Sequence, residues 1–236
     1  MALGGGRVGD GVVVWEPGSG VDGVVSSVYA ATHEVLGVLQ SWLASERTGI
    51  LVVLTHGAGG SREAPLLKRI CDEWAARGWL AVRYNLPYRR RRPKGPPSGS
   101  AAADQAGVVE AVELVATMVT GPVVAGGHSY GGRMTSMAVA DGTARVGALT
   151  LFSYPLHPPG KPERARTEHL PRIEAPTVFT HGTSDPFGSI DELRAAAALI
   201  PAAADVVEIT GARHDLGSKT LDVPRLAVDA ALRLLP

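Results

Sequence analysis

The chain has 236 residues, with 23 Lys and Arg against 23 Asp and Glu. That length suits one α/β domain with a large core, expected over residues 1–236. The balanced charge excludes binding to nucleic acid or to a membrane surface through bulk electrostatics. A single cysteine, Cys71, excludes an internal disulfide framework and fits a reducing compartment. No basic segment leads into a long apolar core at the start, and no apolar run approaches the roughly 20 residues needed to span a bilayer. The expectation is a cytoplasmic protein with no nucleic-acid or membrane partner.

Residues 1–11 are glycine-rich and read as loose chain. Val12 to Trp15 and Val24 to Ala31 are β-prone runs separated by Pro17-Gly18-Ser19-Gly20, which predicts an antiparallel hairpin. Ile50 to Leu54 is uniformly apolar, the sign of a strand buried on both faces. It leads into Thr55-His56-Gly57-Ala58-Gly59-Gly60. Leu66, Leu67, Ile70, Cys71 and Trp74 then fall on one face of a helix that Gly78 ends. Leu80 to Tyr84 is the next strand. The basic run Arg89 to Arg92, followed by Pro93-Lys94-Gly95-Pro96-Pro97, reads as irregular.

Val108, Val109, Val112, Val115 and Val119 mark a second helix. A strand over 123–127 ends in Gly127-His128-Ser129-Tyr130-Gly131, and a third helix follows. Ala148 to Phe152 is a strand, and the loop from Ser153 to Arg172 is long, proline-rich and basic. Thr177 to Thr180 is a strand running into His181-Gly182-Thr183-Ser184-Asp185-Pro186-Phe187. Ser189 and Glu192 form a capping box that opens a helix. Asp205 to Ile209 is the last strand, and a final helix begins near Pro224. Alternating strands and helices predict a mostly parallel sheet with helices on both faces. All the polar turns then share the rim at the carboxyl ends of the strands.

The G-x-S-x-G segment between a strand and a helix is a nucleophile elbow: a tight turn that lifts the Ser129 hydroxyl clear of the backbone. A serine hydroxyl needs a general base, and the base needs an acid to hold its tautomer. Ser129, Asp185 and His214 stand in the order this topology requires, each just after a strand. Asp185 before Pro186 also suits a plain turn residue, and Asp215 is the rival acid. His128, adjacent to the nucleophile, is expected to point elsewhere. His181 is expected to be a packed core histidine. An oxyanion needs two preset donors, and the backbone N–H groups of Tyr130 and Ala58 are the candidates. Glycines near Ala58, Gly59 among them, let substrate approach. Arg62 stands where a dinucleotide-binding G-x-G-x-x-G would need glycine, so no dinucleotide cofactor is expected. No metal-ligand motif occurs. Arg89 and Arg90 read either as a solvated loop or as a clamp for an acidic substrate group.

These elements resemble the α/β-hydrolase superfamily over nearly the whole chain. The segments Thr55–Gly60, Tyr154–Pro162, His169–Pro171 and Gly182–Gly188 are similar to compact hydrolases whose eukaryotic relatives include a histone-acetyltransferase-complex subunit and a testis-expressed protein. The layout is also similar to dienelactone hydrolases, which carry cysteine where this chain has Ser129. The resemblance implies an α/β-hydrolase fold without a large cap domain, and it carries Tyr154 and His157 onto the rim as candidate substrate contacts. The expected activity is hydrolysis of a small carboxylic ester or thioester through an acyl-enzyme. A silent scaffold, and an acyltransferase or peptidase using the same three residues, are the alternatives.

Overall fold

The computed structural model describes residues 12–15, 51–98, 100–117 and 119–235. Seven strands form one sheet: β1 (Val12–Trp15), β2 (Leu51–Thr55), β3 (Leu80–Tyr84), β4 (Val123–His128), β5 (Ala148–Phe152), β6 (Thr177–Gly182) and β7 (Ala204–Ile209). Their order across the sheet is β1-β3-β2-β4-β5-β6-β7, and every one of the six pairings is parallel. The first arm of the expected hairpin is thus a strand parallel to β3. The second arm, Val24 to Ala31, and the expected loose residues 1–11 lie outside the described residues.

Period-two alternation divides β2 between the two faces. Leu51 and Val53 join one apolar cluster, and Val52 and Leu54 join the other. The second cluster is covered by α1 (Pro65–Ala76) and α6 (Val223–Leu234), through Leu67, Ile70, Trp74, Ala227 and Val228. The first is covered by α3 (Ala101–Ala116), α4 (Tyr130–Ala140) and α5 (Ile190–Ala197). Full burial of each large apolar side chain is worth roughly 1.5–3 kcal/mol. The predicted ends are visible as local chemistry. Gly78 adopts φ 85° just after α1, and Ser189 and Glu192 close a reciprocal capping box on α5.

Two expectations change. The arginine run is not irregular, because Pro87–Arg91 forms a short helix, α2, with proline in its first turn. Gly107 on α3 permits this packing, since a Cβ there would lie 2.4 Å from Pro87 Cγ. The second valine-rich helix starts at Ala101, where Ser100 accepts a hydrogen bond from the Ala102 amide, and it ends at Ala116, short of Val119. The loop after β5 holds only two 3₁₀ turns, Pro162–Arg164 and Leu170–Arg172, so no large cap stands over this rim among the described residues.

The chain visits β3 on one side of β2 and then β4 on the other. The order in which strands are added therefore reverses between β2 and β4, the place where open parallel sheets hold their ligands, beyond the carboxyl ends.

Candidate active site

At the end of β4 the chain turns through Ser129, which holds φ 50° and ψ −116°. For a non-glycine residue this conformation costs on the order of 1–3 kcal/mol and persists only where the surroundings enforce it. The enforcement is close packing of backbone. A Cβ on Gly127 would lie 2.6 Å from the Thr55 carbonyl oxygen, and one on Gly131 would lie 2.4 Å from that of His56. Only glycine lets the elbow press against the turn after β2. The Ser129 amide donates to Phe152 O at 2.8 Å, and its carbonyl accepts from the Arg133 amide at 3.0 Å.

The structure brings Ser129, His214 and Asp185 together. His214 Nε2 lies 2.8 Å from Ser129 Oγ, and His214 Nδ1 lies 2.8 Å from Asp185 Oδ2. The carboxylate is an acceptor, so Nδ1 carries the hydrogen and Nε2 presents its lone pair to the hydroxyl. Asp185 Oδ1 is taken by the Phe187 amide at 2.9 Å. Burial alone would raise the pKa of Asp185. Hydrogen bonds from His214 and the Phe187 amide, with the charges of His214 and His181, outweigh it and hold the carboxyl below its ordinary range. The acid is fully buried, while the imidazole keeps about a quarter of its side-chain surface open.

The loops carrying acid and base are tied to each other. Ser184 N donates to Ala212 O at 2.9 Å, and Thr183 N to Ile209 O at 3.1 Å. A Cβ on Gly182 would lie 2.3 Å from Ala212 O, which explains the glycine that ends β6. Phe187 lies against the His214 ring, with centroids 4.3 Å apart and the planes tilted by 36°. Asp215, the rival acid, is exposed and accepts from the Gly217 amide instead.

His128 makes no hydrogen bond to the Ser129 hydroxyl and turns instead to the base. Its Nε2 lies 2.8 Å from the His214 carbonyl oxygen, so Nε2–H donates to the backbone of the base itself. Burial lowers its pKa, which favours this neutral form. His181 is a fully buried histidine, with Nε2 3.0 Å from Gly188 O.

The amides of Tyr130 and Ala58, the candidate oxyanion donors, follow the ends of neighbouring strands. Tyr130 opens α4, and Ala58 follows β2, which pairs directly with β4. Neither N–H donates to a protein acceptor among the described residues. The turn that holds Ala58 is heavily tethered. Gly57 O accepts from Gly60 N at 3.0 Å, lies 2.9 Å from His56 Nδ1 and accepts from the Tyr88 hydroxyl at 3.2 Å. Ala58 O accepts from the same hydroxyl at 2.7 Å and from Arg89 Nη2 at 3.1 Å. The Leu86 amide donates to His56 Nε2, so the hydrogen of that imidazole sits on Nδ1. Burial, then the charges of Arg89 and His128, hold His56 down at about 4 against the lifting effect of its bond to Gly57.

The candidate substrate contacts divide. Gly59 is exposed, with open space where a side chain would be. Arg89 is buried, and its guanidinium is spent on the carbonyls of Ala58, Arg92 and Gly95. Arg90 pairs with Glu110 on α3 at 3.3 Å. Tyr154 is fully buried and donates to Arg166 O at 2.8 Å. His157 is buried against Pro158 O and lies 3.5 Å from Glu192. The last two are packed inside the loop after β5, with no hydrogen bond to Ser129, Asp185 or His214.

Sequence reasoning passed over Tyr88 and Asp104. Tyr88 lies in the stretch that reads as irregular, and Asp104 precedes the valines that mark the second helix.

The sheet, the elbow and the gathered side chains are those of an α/β hydrolase. The chain belongs to the α/β hydrolase domain family, whose model matches residues 48–223. A second model, the Rossmann-fold domain of polyketide synthase extender module SpnB, matches residues 2–68. Over 135 residues the chain is 42% identical to the phenolphthiocerol synthesis polyketide synthase Pks15/1 of Mycobacterium marinum; this stretch is 57% of the chain and 6% of that protein. The chain thus spans a small fraction of that relative's length.

Solved structures share the fold at low identity. Est1E from Butyrivibrio proteoclasticus, in a form with ferulic acid bound, aligns with a TM-score of 0.65 and 16% identity over 79% of this chain and 90% of its own. XC6422 from Xanthomonas campestris, described as an α/β serine hydrolase without a lid, aligns at 0.63 and 18% over 80% and 84%. A serine hydrolase homologue from Coxiella burnetii aligns at 0.62 and 15% over 77% and 84%. Among the described residues, no helix is long and apolar enough to cross a membrane.

Proposed function

We propose that the chain is a serine hydrolase that cleaves a small carboxylic ester or thioester through an acyl-enzyme. The observation that carries this reading is the unbroken relay Ser129 Oγ–His214 Nε2–His214 Nδ1–Asp185 Oδ2, with both links at 2.8 Å. In the reaction, Ser129 Oγ attacks the carbonyl carbon and passes its proton to His214 Nε2. The oxygen of the tetrahedral intermediate gains a negative charge and accepts hydrogen bonds from the Tyr130 and Ala58 amides. Collapse breaks the bond to the alcohol or thiol, which leaves with the proton from His214. Water then attacks the acyl-serine, with His214 again taking and returning a proton.

Asp185 keeps the imidazole in the required tautomer and stabilises its charged form. Serine in place of the dienelactone-type cysteine supports ordinary ester chemistry. Among the described residues the rim after β5 carries no large cap, which suits a small substrate. The test is turnover of p-nitrophenyl acetate. Wild type is expected to turn over, and Ser129→Ala to fall to the buffer rate. Equal turnover by the two proteins defeats the assignment.

A further inference from the structure

We propose that Asp104 is a positioning residue for the oxyanion site, holding both of its halves from behind. This rests on the serine-hydrolase reading above. Asp104 lies in the first turn of α3 and is 2% exposed. No arginine, lysine or histidine forms an ion pair with it among the described residues. A buried carboxylate without a counter-cation is costly and is retained only where donors satisfy it. Asp104 has two such donors. Its Oδ1 accepts from the Tyr88 amide at 3.0 Å, and its Oδ2 accepts from the Tyr130 hydroxyl at 2.8 Å.

Each donor belongs to one side of the site. Tyr130 is the residue whose backbone N–H starts α4 beside Ser129. Its phenol, anchored to Asp104, fixes how that first helical residue sits. Tyr88 acts on the other side through its hydroxyl, which reaches the carbonyls of Ala58 at 2.7 Å and Gly57 at 3.2 Å. The peptide unit is planar and trans, so the Gly57 carbonyl and the Ala58 N–H point in opposite directions in one plane. The hydroxyl's one hydrogen is shared between the two peptides that flank Ala58, mainly the Ala58–Gly59 unit, and holding both of them aims the Ala58 N–H. The rings of Tyr88 and Tyr130 meet edge to face, with centroids 5.9 Å apart, so the two anchored side chains also brace each other.

The carboxylate thus sits at the junction of two arms. One runs through Tyr130 to the elbow, and the other through Tyr88 to the turn after β2. Arg89 reinforces the second arm through Ala58 O. A group that only joined α2 to α3 would need the Tyr88 amide alone. The bond to Tyr130 is what ties Asp104 to the nucleophile's helix.

The experiment measures the second-order rate at which a fluorophosphonate probe labels the protein. The probe's phosphoryl oxygen is stabilised by the same two amides, and no natural substrate is needed. Removing one direct oxyanion donor costs about 10²–10³ in rate, so removing the carboxylate that positions two donors is expected to cost ~10–100-fold. Asp104→Ala should label that much more slowly while still reaching one adduct per chain. Asp104→Asn, which keeps an acceptor for the Tyr88 amide, should fall only ~3–10-fold. Tyr130→Phe should slow labelling to a similar degree, and adding Asp104→Ala to it should have a reduced further effect.

Thermal melts accompany each protein. If Asp104→Ala does not fold, Asp104→Asn and Tyr130→Phe decide. A folded Asp104→Ala labelling within twofold of wild type overturns the proposal and leaves the hydrolase reading standing. Rates within twofold for both Asp104→Asn and Tyr130→Phe do the same. Wild-type protein that gives no adduct on Ser129 instead overturns the hydrolase reading beneath it.

Discussion

The two halves of the site are built differently. The acid–base half, at the ends of β6 and β7, depends on side chains that act directly: Asp185 on His214, and His214 on Ser129. Its loops are joined by backbone hydrogen bonds, and one aromatic ring, Phe187, lies against the imidazole. The proposed oxyanion half, between β2 and β4, rests on two backbone amides, those of Tyr130 and Ala58. Its side chains (Tyr88, Arg89, His56 and Asp104) all work from behind by holding carbonyls or one another. A base must move a proton and so has to be a titrating side chain. An oxyanion donor must stay still, and a peptide plane fixed by its carbonyl does that.

This difference predicts a hierarchy. The largest effect belongs to the acid–base half. Asp185→Asn can no longer hold His214 in the right tautomer, and kcat is expected to fall about 10³–10⁴-fold with the fold intact. A loss under tenfold, measured on p-nitrophenyl acetate, would show that the imidazole does not depend on this carboxyl. Tyr88→Phe should be milder, at ~10-fold in kcat with KM little changed, because it loosens a donor without deleting it. A rise in KM alone would move Tyr88 from the oxyanion half to substrate binding. His128→Ala removes the bond to the His214 carbonyl and is expected to cost a few-fold, roughly the effect of one neutral hydrogen bond. Combining it with Asp185→Asn should give less than the product of the two separate effects, since both act through the same imidazole. Fully multiplicative effects would place His128 outside the acid–base half.

The smallest expected effect concerns stability and pH. Burial, reinforced by nearby positive charges, holds both His56 and His169 at about 4, against an ordinary value of 6.5. The unfolded chain therefore binds more protons between pH 6.5 and 4, and stability falls as pH drops through that window. Asp185 adds its own loss at lower pH, because its folded pKa lies below the usual carboxylate value. The urea midpoint should be level above pH 6.5 and decline toward pH 4. A midpoint unchanged down to pH 4 would mean that the two imidazoles are protonated as readily folded as unfolded.

How far the site could be read from sequence follows the same division. The elbow, the acid and the base each lie just after a strand, and the order of residue types is set by topology, so a single sequence carries the pattern. The supports of the oxyanion half have no comparable signature. Five residues are too few to show helical periodicity, so Pro87–Arg91 read as loop. The helix forms because proline suits its first turn and Asp104, sixteen residues on, accepts the Tyr88 amide.

A run of arginines is usually solvated, and the place of this one on the rim also suits a substrate clamp; Arg89 is neither. Here it finds three carbonyls inside. The resemblance puts Tyr154 on the rim. Ser153 adopts φ 45°, however, and the next side chain packs fully inside, against Phe179. His128, adjacent to the nucleophile, points away from its hydroxyl, and its ring reaches the backbone of the base. In each case the missing information was the direction of a side chain, which chain order alone does not give.

The relay from Asp185 through His214 to Ser129 is tested most directly by mass spectrometry of the intact protein and its peptides after reaction with a fluorophosphonate. Wild-type protein is predicted to gain one adduct, located on Ser129, and His214→Ala to gain it at least a hundredfold more slowly, in line with loss of the activating base. Folded wild-type protein that stays unlabelled, or a His214→Ala variant that labels as fast as wild type, would contradict the relay.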